Sequence, residues 1–94
     1  QRSEKMNCLV YRIHESLYAV DAGTVKGVEN TLNLHPIPGQ PSFVEGVADV
    51  RGLMTPAVSV GRFFNLPPKS RGTALIIGSD FGQVAYITDG VEAI

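Results

Sequence analysis

Apolar residues along this chain alternate with polar ones or gather in short β-branched runs. Gly, Pro, Asn, Asp or Ser interrupts them about every eight to twelve residues, the rhythm of a small all-β fold. The pattern predicts seven strands, over residues 8–13, 17–20, 25–30, 43–50, 53–60, 73–79 and 83–88. Leu9, Tyr11 and Ile13 share one face of the first, and His14-Glu15-Ser16 turns the chain into the second. Asp21 can accept a backbone N–H and so caps a helical turn before the third strand, which carries Val25 and Val28. Residues 32–42 hold Pro36, Pro38, Gly39 and Pro41. The prolines lack amide donors and fix φ, so this stretch is an ordered connector or a binding loop and not an internal strand. Arg51-Gly52 forms a hairpin corner, and residues 61–65 form a helical turn that Pro67-Pro68 stops. Asp80-Phe81-Gly82 joins the last two strands, with its glycine free to take positive φ.

A faint internal repeat organises these strands. Val20-Asp21 leading to Val25 and Val28 resembles Ile87-Thr88-Asp89 leading to Val91 and Ile94. Two further strands follow the first copy, up to Val60, whereas the second copy reaches Ile94 with none after it. The expected organisation is a frayed leader over residues 1–7, a first unit over residues 8–62, and the start of an unfinished second unit over residues 73–94. Native proteins pair or cover open sheet edges. The chain is therefore expected to be a truncated domain, or to be completed by strand exchange in a homo-oligomer.

Composition narrows the function. The chain has 94 residues, enough for one small domain, with 44% apolar and 18% charged side chains. The charged share lies below the usual ~25%, which fits a packed fold and not disorder. A net charge of −1 offers nucleic acid or an anionic membrane no cluster of Lys and Arg, which points to a protein partner. The single cysteine, Cys8, can close no internal disulfide and has no Cys or His at zinc-ligand spacing, which fits a reducing, cytoplasmic setting. Apolar runs such as residues 74–77 are far shorter than a membrane span requires.

No catalytic or cofactor-binding constellation emerges. His14 sits in a turn beside Glu15 and reads as a surface histidine, and His35, held extended before Pro36, suits a loop contact. A barrel enzyme built on His14, His35 and Asp21 is the alternative, and it requires the three to meet within hydrogen-bond reach. Gly78-Ser79-Asp80-Phe81-Gly82 lies between two strands, so no helix N-terminus is present to bind phosphate. Gly46 marks a bulge or a close backbone approach, the bulge being the simpler reading.

The segment Phe43-Val44-Glu45-Gly46-Val47-Ala48-Asp49-Val50-Arg51-Gly52-Leu53-Met54-Thr55-Pro56-Ala57-Val58 resembles the CheW-like coupling domain of bacterial chemotaxis, whose core reads Gly-Val, a short spacer, Arg-Gly and then a Pro-containing apolar run. Residues 9–13, 17–21, Val25-x-x-Val28, Pro36-Ile37-Pro38-Gly39 and residues 84–91 fall in family order and spacing. The resemblance runs from Leu9 to Ile94 and implies that the family's C-terminal third is absent. It implies two SH3-like β-barrels with a hydrophobic groove between them, no catalysis, no cofactor and no metal. The implied partners are the regulatory domain of a CheA-type histidine kinase and the cytoplasmic tip of a chemoreceptor, met at membrane-associated arrays without membrane insertion. The contact positions it implies are Val25, Val28, Glu29, Pro36, Pro38, Val47, Arg51 and Gly52. Pattern alone makes Val25 and Val28 core residues and Arg51 a hairpin arginine whose stem covers apolar surface. Two departures bear on partner choice. Gly27 stands where the family usually has a Glu that can pair with Arg51, leaving Glu29 as the nearest acid, and Ser59 stands where the family usually has Asp.

Overall fold

The computed structural model describes residues 7–66, 72–80 and 82–93. The expected fraying of the leader's first six residues, the Pro67-Pro68 stop, Phe81 and Ile94 lie outside them. The described elements are β1 (Cys8–Ile13), β2 (Ser16–Asp21), a 3-10 turn (Ala22–Thr24), β3 (Val25–Glu29), β4 (Val44–Val50), β5 (Leu53–Ser59), α1 (Val60–Phe63), β6 (Thr73–Ser79), β7 (Gly82–Thr88) and β8 (Gly90–Ala93). The eighth strand is the one the pattern did not single out: it is short, and it follows β7 after Asp89 alone. Val60, expected to close β5, instead opens α1, because Ser59 caps that turn by accepting from Arg62 N at 3.3 Å.

The strands form two sheets, β2-β1-β8 and β3-β6-β7-β5-β4, and these divide the chain differently from the expected units over 8–62 and 73–94. β6 and β7, expected to begin a second barrel, complete the first by pairing with β3 and β5. The sheet with fewer strands belongs instead to β1, β2 and β8. The repeat remains meaningful in a different sense: Asp21 and Asp89 both sit where the chain crosses between sheets. Asp21 accepts Gly23 N at 2.9 Å on the way from β2 to β3, and Asp89 accepts His14 N at 2.6 Å on the way from β7 to β8.

The five-stranded sheet curls into an SH3-like barrel. Register shifts at Val25/Gly27 and at Val44/Gly46 bend its two edge strands, as bulges do. Its core is small: Ala48, Val50, Ala57, Ala74, Ile76 and Ala85, with Leu32, Leu34 and Ile87 packed against it. Burying a side chain the size of Ile76 is worth about 1.5–3 kcal/mol, and the alanines contribute by letting the strands close tightly. Buried hydroxyls are partnered: Thr55 Oγ1 donates to Leu53 O at 3.0 Å and accepts from Gln83 Nε2 at 2.9 Å, and Thr88 Oγ1 donates to Thr73 O at 2.9 Å.

The proline loop is fixed by His35, which forms a two-way backbone bridge with Val47, donating at 2.8 Å and accepting at 2.9 Å. Gly46 makes this possible. Its φ is 147°, and a Cβ there would stand 2.6 Å from His35 O, so the position is both a bulge and a close approach, and what approaches is the chain's own loop. Gly46→Ala should therefore cost about 2 kcal/mol or more in urea unfolding, since strain at φ adds to displacement of the loop. A loss below about 0.5 kcal/mol would show that the loop does not depend on this contact.

Candidate protein-interaction surface

The β4–β5 corner is a two-residue turn in which Arg51 and Gly52 both take positive φ, 55° and 84°. That is the primed geometry whose twist suits a hairpin. Asp49 Oδ1 accepts Gly52 N at 2.9 Å and stiffens the corner. Arg51 reaches from this tip across to β3, donating to Lys26 O at 3.0 Å, and its Nη2 stands 3.9 Å from Glu29 Oε2. The guanidinium lies over Gly27, where a Cβ would come within 2.6 Å of Arg51 Nη2. The missing family carboxylate thus has a geometric counterpart: the space beside the Gly27 backbone is filled by the arginine, and Glu29 is its acidic neighbour.

This arrangement brings Glu29, Arg51 and Gly52 together in one patch at the hairpin tip, while Val28, opposite Leu75, lies on the other face of β3 from Gly27 and Glu29. Arg51's side chain is 64% exposed and Val28 45% exposed. Val28 therefore faces solvent, against the core role its spacing suggested, while Val25, opposite Ile77, is half-buried. Beside the patch a shallow depression is lined by Glu29, Asn30, Leu32 and Leu34. Val47 belongs to a second group: its backbone is bridged to His35, with Pro36 and Pro38 exposed on the docked loop. Ser59, 6% exposed, caps α1 from inside. Cys8 is half-buried. His14, Asp21 and His35 sit respectively at the β1–β2 turn, the 3-10 cap and the β4 edge, and they do not assemble into an acid–base site. Among the described residues no three His, Cys, Asp or Glu side chains gather as a metal site, and no helix is long and apolar enough to cross a membrane.

A second apolar surface lies between the sheets, and composition gave little sign of it. Tyr11 and Val20 from the smaller sheet, Val60 of α1, and Leu75, Ile77 and Tyr86 from the larger line a groove. Aromatic contacts continue outward from it: Tyr11 stacks on Tyr18 at 5.8 Å and Tyr18 on Phe64 at 6.4 Å, and Phe63 meets both Phe64 and Phe43 edge-on. Tyr11 and Tyr86 lie in recognisable strands, but their meeting depends on how the two sheets stack, which no local pattern encodes.

A small β-barrel module with an exposed hairpin-tip patch and an inter-sheet apolar groove is the class that fold and surface define. More particularly, the chain belongs to the CheW-like domain family, whose model matches residues 7–94. It is 29% identical over 63 residues to the chemotaxis protein CheW of Treponema pallidum, covering 67% of this chain and 37% of that protein. It is 31% identical over 64 residues to the chemotaxis protein CheW of Bacillus subtilis, covering 68% and 40%. In structure it is similar to scaffolding protein TtCheW from Thermoanaerobacter tengcongensis, with a TM-score of 0.87 and 25% identity over 94% of this chain and 62% of that one. The matched region spans about two fifths of the curated relatives' length.

The groove has a titratable signature. Burial first, then the neighbouring phenols Tyr18 and Tyr86, raise the Tyr11 pKa above its usual 10.0. A phenol whose folded pKa is raised stabilises the fold fully below pH 10 and loses that contribution as pH climbs through the folded value. Tyr11→Phe should remove a phenol that ionises above its usual range from an absorbance titration and flatten the fall in stability above about pH 10. A variant titration of lower amplitude but unchanged midpoint would show that Tyr11 ionises as an exposed phenol does.

Proposed function

We propose that this chain acts as a non-enzymatic adaptor in chemotaxis signal transduction, joining methyl-accepting chemoreceptors to the regulatory domain of a CheA-type histidine kinase in the cytoplasm at membrane-associated arrays. No cofactor enters this reading. The observation that carries it is the hairpin tip: an exposed arginine, aimed by Lys26 O and Glu29, on a chain of the CheW-like family. Preorganised arginines are among the residues from which protein–protein hot spots are built. Val25, Gly52, Val47 and the exposed Pro36 and Pro38 extend the proposed contact set around the same hairpin and its docked loop.

Signalling in this reading is a change in packing transmitted through a rigid β scaffold. The barrel supplies the rigidity, and a receptor helix would meet apolar surface of the kind Val28 presents. The glycine at position 27 favours a second reading, in which the same surface serves another signalling assembly: Arg51 here rests over backbone, and its nearest carboxylate is 3.9 Å away on Glu29.

Calorimetric titration against the isolated kinase regulatory domain tests both. Saturable binding in the micromolar range, about −8 kcal/mol, is expected from the wild-type chain. Arg51→Ala should weaken it about tenfold while changing stability by less than about 1 kcal/mol, because the side chain is mostly exposed. Absence of heat from a folded chain would favour the second assembly, and a large fall in melting temperature of the variant would assign Arg51 to the scaffold.

A further inference from the structure

Gln83, the second residue of β7, reaches the β4–β5 hairpin from outside it. Its Nε2 donates to Thr55 Oγ1 at 2.9 Å and to Val50 O at 3.3 Å, and Thr55 Oγ1 in turn donates to Leu53 O at 3.0 Å. Val50 and Leu53 are the pair that closes the hairpin, with Arg51 and Gly52 between them. A carbonyl has two lone pairs, so these bonds add to those of the ladder. The carbonyls on both sides of the tip are thus held from β7.

The chemistry of the site suits an amide. Thr55 Oγ1 has a single hydrogen and uses it on Leu53 O, so toward Gln83 it accepts, as Val50 O does. Two acceptors call for an atom with two hydrogens, and Gln83 Nε2 is one. Thr55 is completely buried, which keeps water from competing for its bonds. Backbone pairing of β5 with β7 is confined to Ala57–Ser59 opposite Ala85–Ile87, short of Thr55 and Gln83. The Gln83 side chain therefore carries the same seam on toward the tip.

Arg51 depends on this construction. Its Nη1 donates to Lys26 O at 3.0 Å, so the guanidinium is anchored on β3 while its backbone belongs to the hairpin. The Lys26 stem lies over Gly78 of β6, where a Cβ would come within 2.4 Å of Lys26 Cε, and Gly78 lies opposite Gln83. Hairpin tip, Arg51, β3, β6 and β7 form a closed ring of contacts around this end of the barrel. Gln83 is the link that returns the ring to the tip.

We propose that Gln83 is a positioning residue for Arg51: by holding Val50 O and, through Thr55, Leu53 O, it fixes the angle at which the tip presents the guanidinium to a protein partner. A side chain already held in its bound geometry loses less freedom on association. The partner in this statement rests on the adaptor reading, whereas the hold on Arg51 is a property of the chain itself.

Gln83→Met keeps the length of the side chain and removes both hydrogens. Nitrogen NMR of the folded chain reads rotation of the Arg51 guanidinium, which its bond to Lys26 O slows, and the variant should rotate severalfold faster. In calorimetric titration with the kinase regulatory domain the variant should bind about threefold to tenfold more weakly, and in an Arg51→Ala background the same change should have no effect. A residue that merely supports the fold would lower the melting temperature and move neither reading. Unchanged Arg51 rotation in the folded variant, unchanged affinity, or an equal loss of affinity with and without Arg51 overturns the proposal. If the wild-type chain does not bind the kinase domain, the adaptor reading fails and Arg51 rotation alone decides whether Gln83 positions it. Should Gln83→Met not fold, Thr55→Val, which lacks the hydroxyl, should free Arg51, and Thr55→Ser should restore it; wild-type rotation in Thr55→Val overturns the proposal.

Discussion

The parallel pairing of β5 with β7, Ala57 against Ala85 and Ser59 against Ile87, is the constraint on which the barrel depends. It joins the β4–β5 hairpin to the β6–β7 hairpin, and β3 then docks on β6. Without it the two hairpins would be separate units, each too small to hold its shape in water. Both alanines at the seam are completely buried, and Ala48 and Ala74 continue the same small-residue core. Larger side chains would have to push the strands apart, so tight curvature here is bought with small volume, not with large hydrophobic payload.

The surface features follow from the same closure. β3 and β4 are the two edges of the curled sheet, and Arg51 spans them at one end by reaching Lys26 O. That span requires bare backbone at Gly27, just as docking of the proline loop on β4 requires bare backbone at Gly46. In both places a missing side chain admits another part of the molecule. The positions that look most like gaps in the sequence are thus where the hairpin patch and the loop are held.

Much of this was legible from residues. Alternation located the seven longer strands to within a residue or two, Asp21 announced its cap, and the Gly-Val…Arg-Gly run identified the family. The allocation of strands to sheets was not legible. The repeat at Val20-Asp21 and Ile87-Thr88-Asp89 suggested successive units, but a crossover has the same local chemistry whichever sheet it leaves, and parallel pairing of β5 with β7 involves contacts distant in sequence. For the same reason Glu29 could be named as the neighbour of Arg51 from charge and proximity along a strand, whereas the outward face of Val28 and the Tyr11–Tyr86 groove required the sheets to be stacked.

β1 pairs with β2 next to it in sequence and with β8 at the far end of the described chain, where Arg12 lies opposite Gly90. During synthesis β1 therefore waits for β8 before its second edge is satisfied. The barrel, whose strands all emerge in between, can close first. Its completion brings β7 and Asp89 to the place where β8 must begin, and Asp89 then secures the β1 turn through His14 N. Local contacts form early and long-range ones late, so the N-terminal hairpin is assembled onto a finished barrel and is the part of the nascent chain exposed longest to chaperones and to other strands.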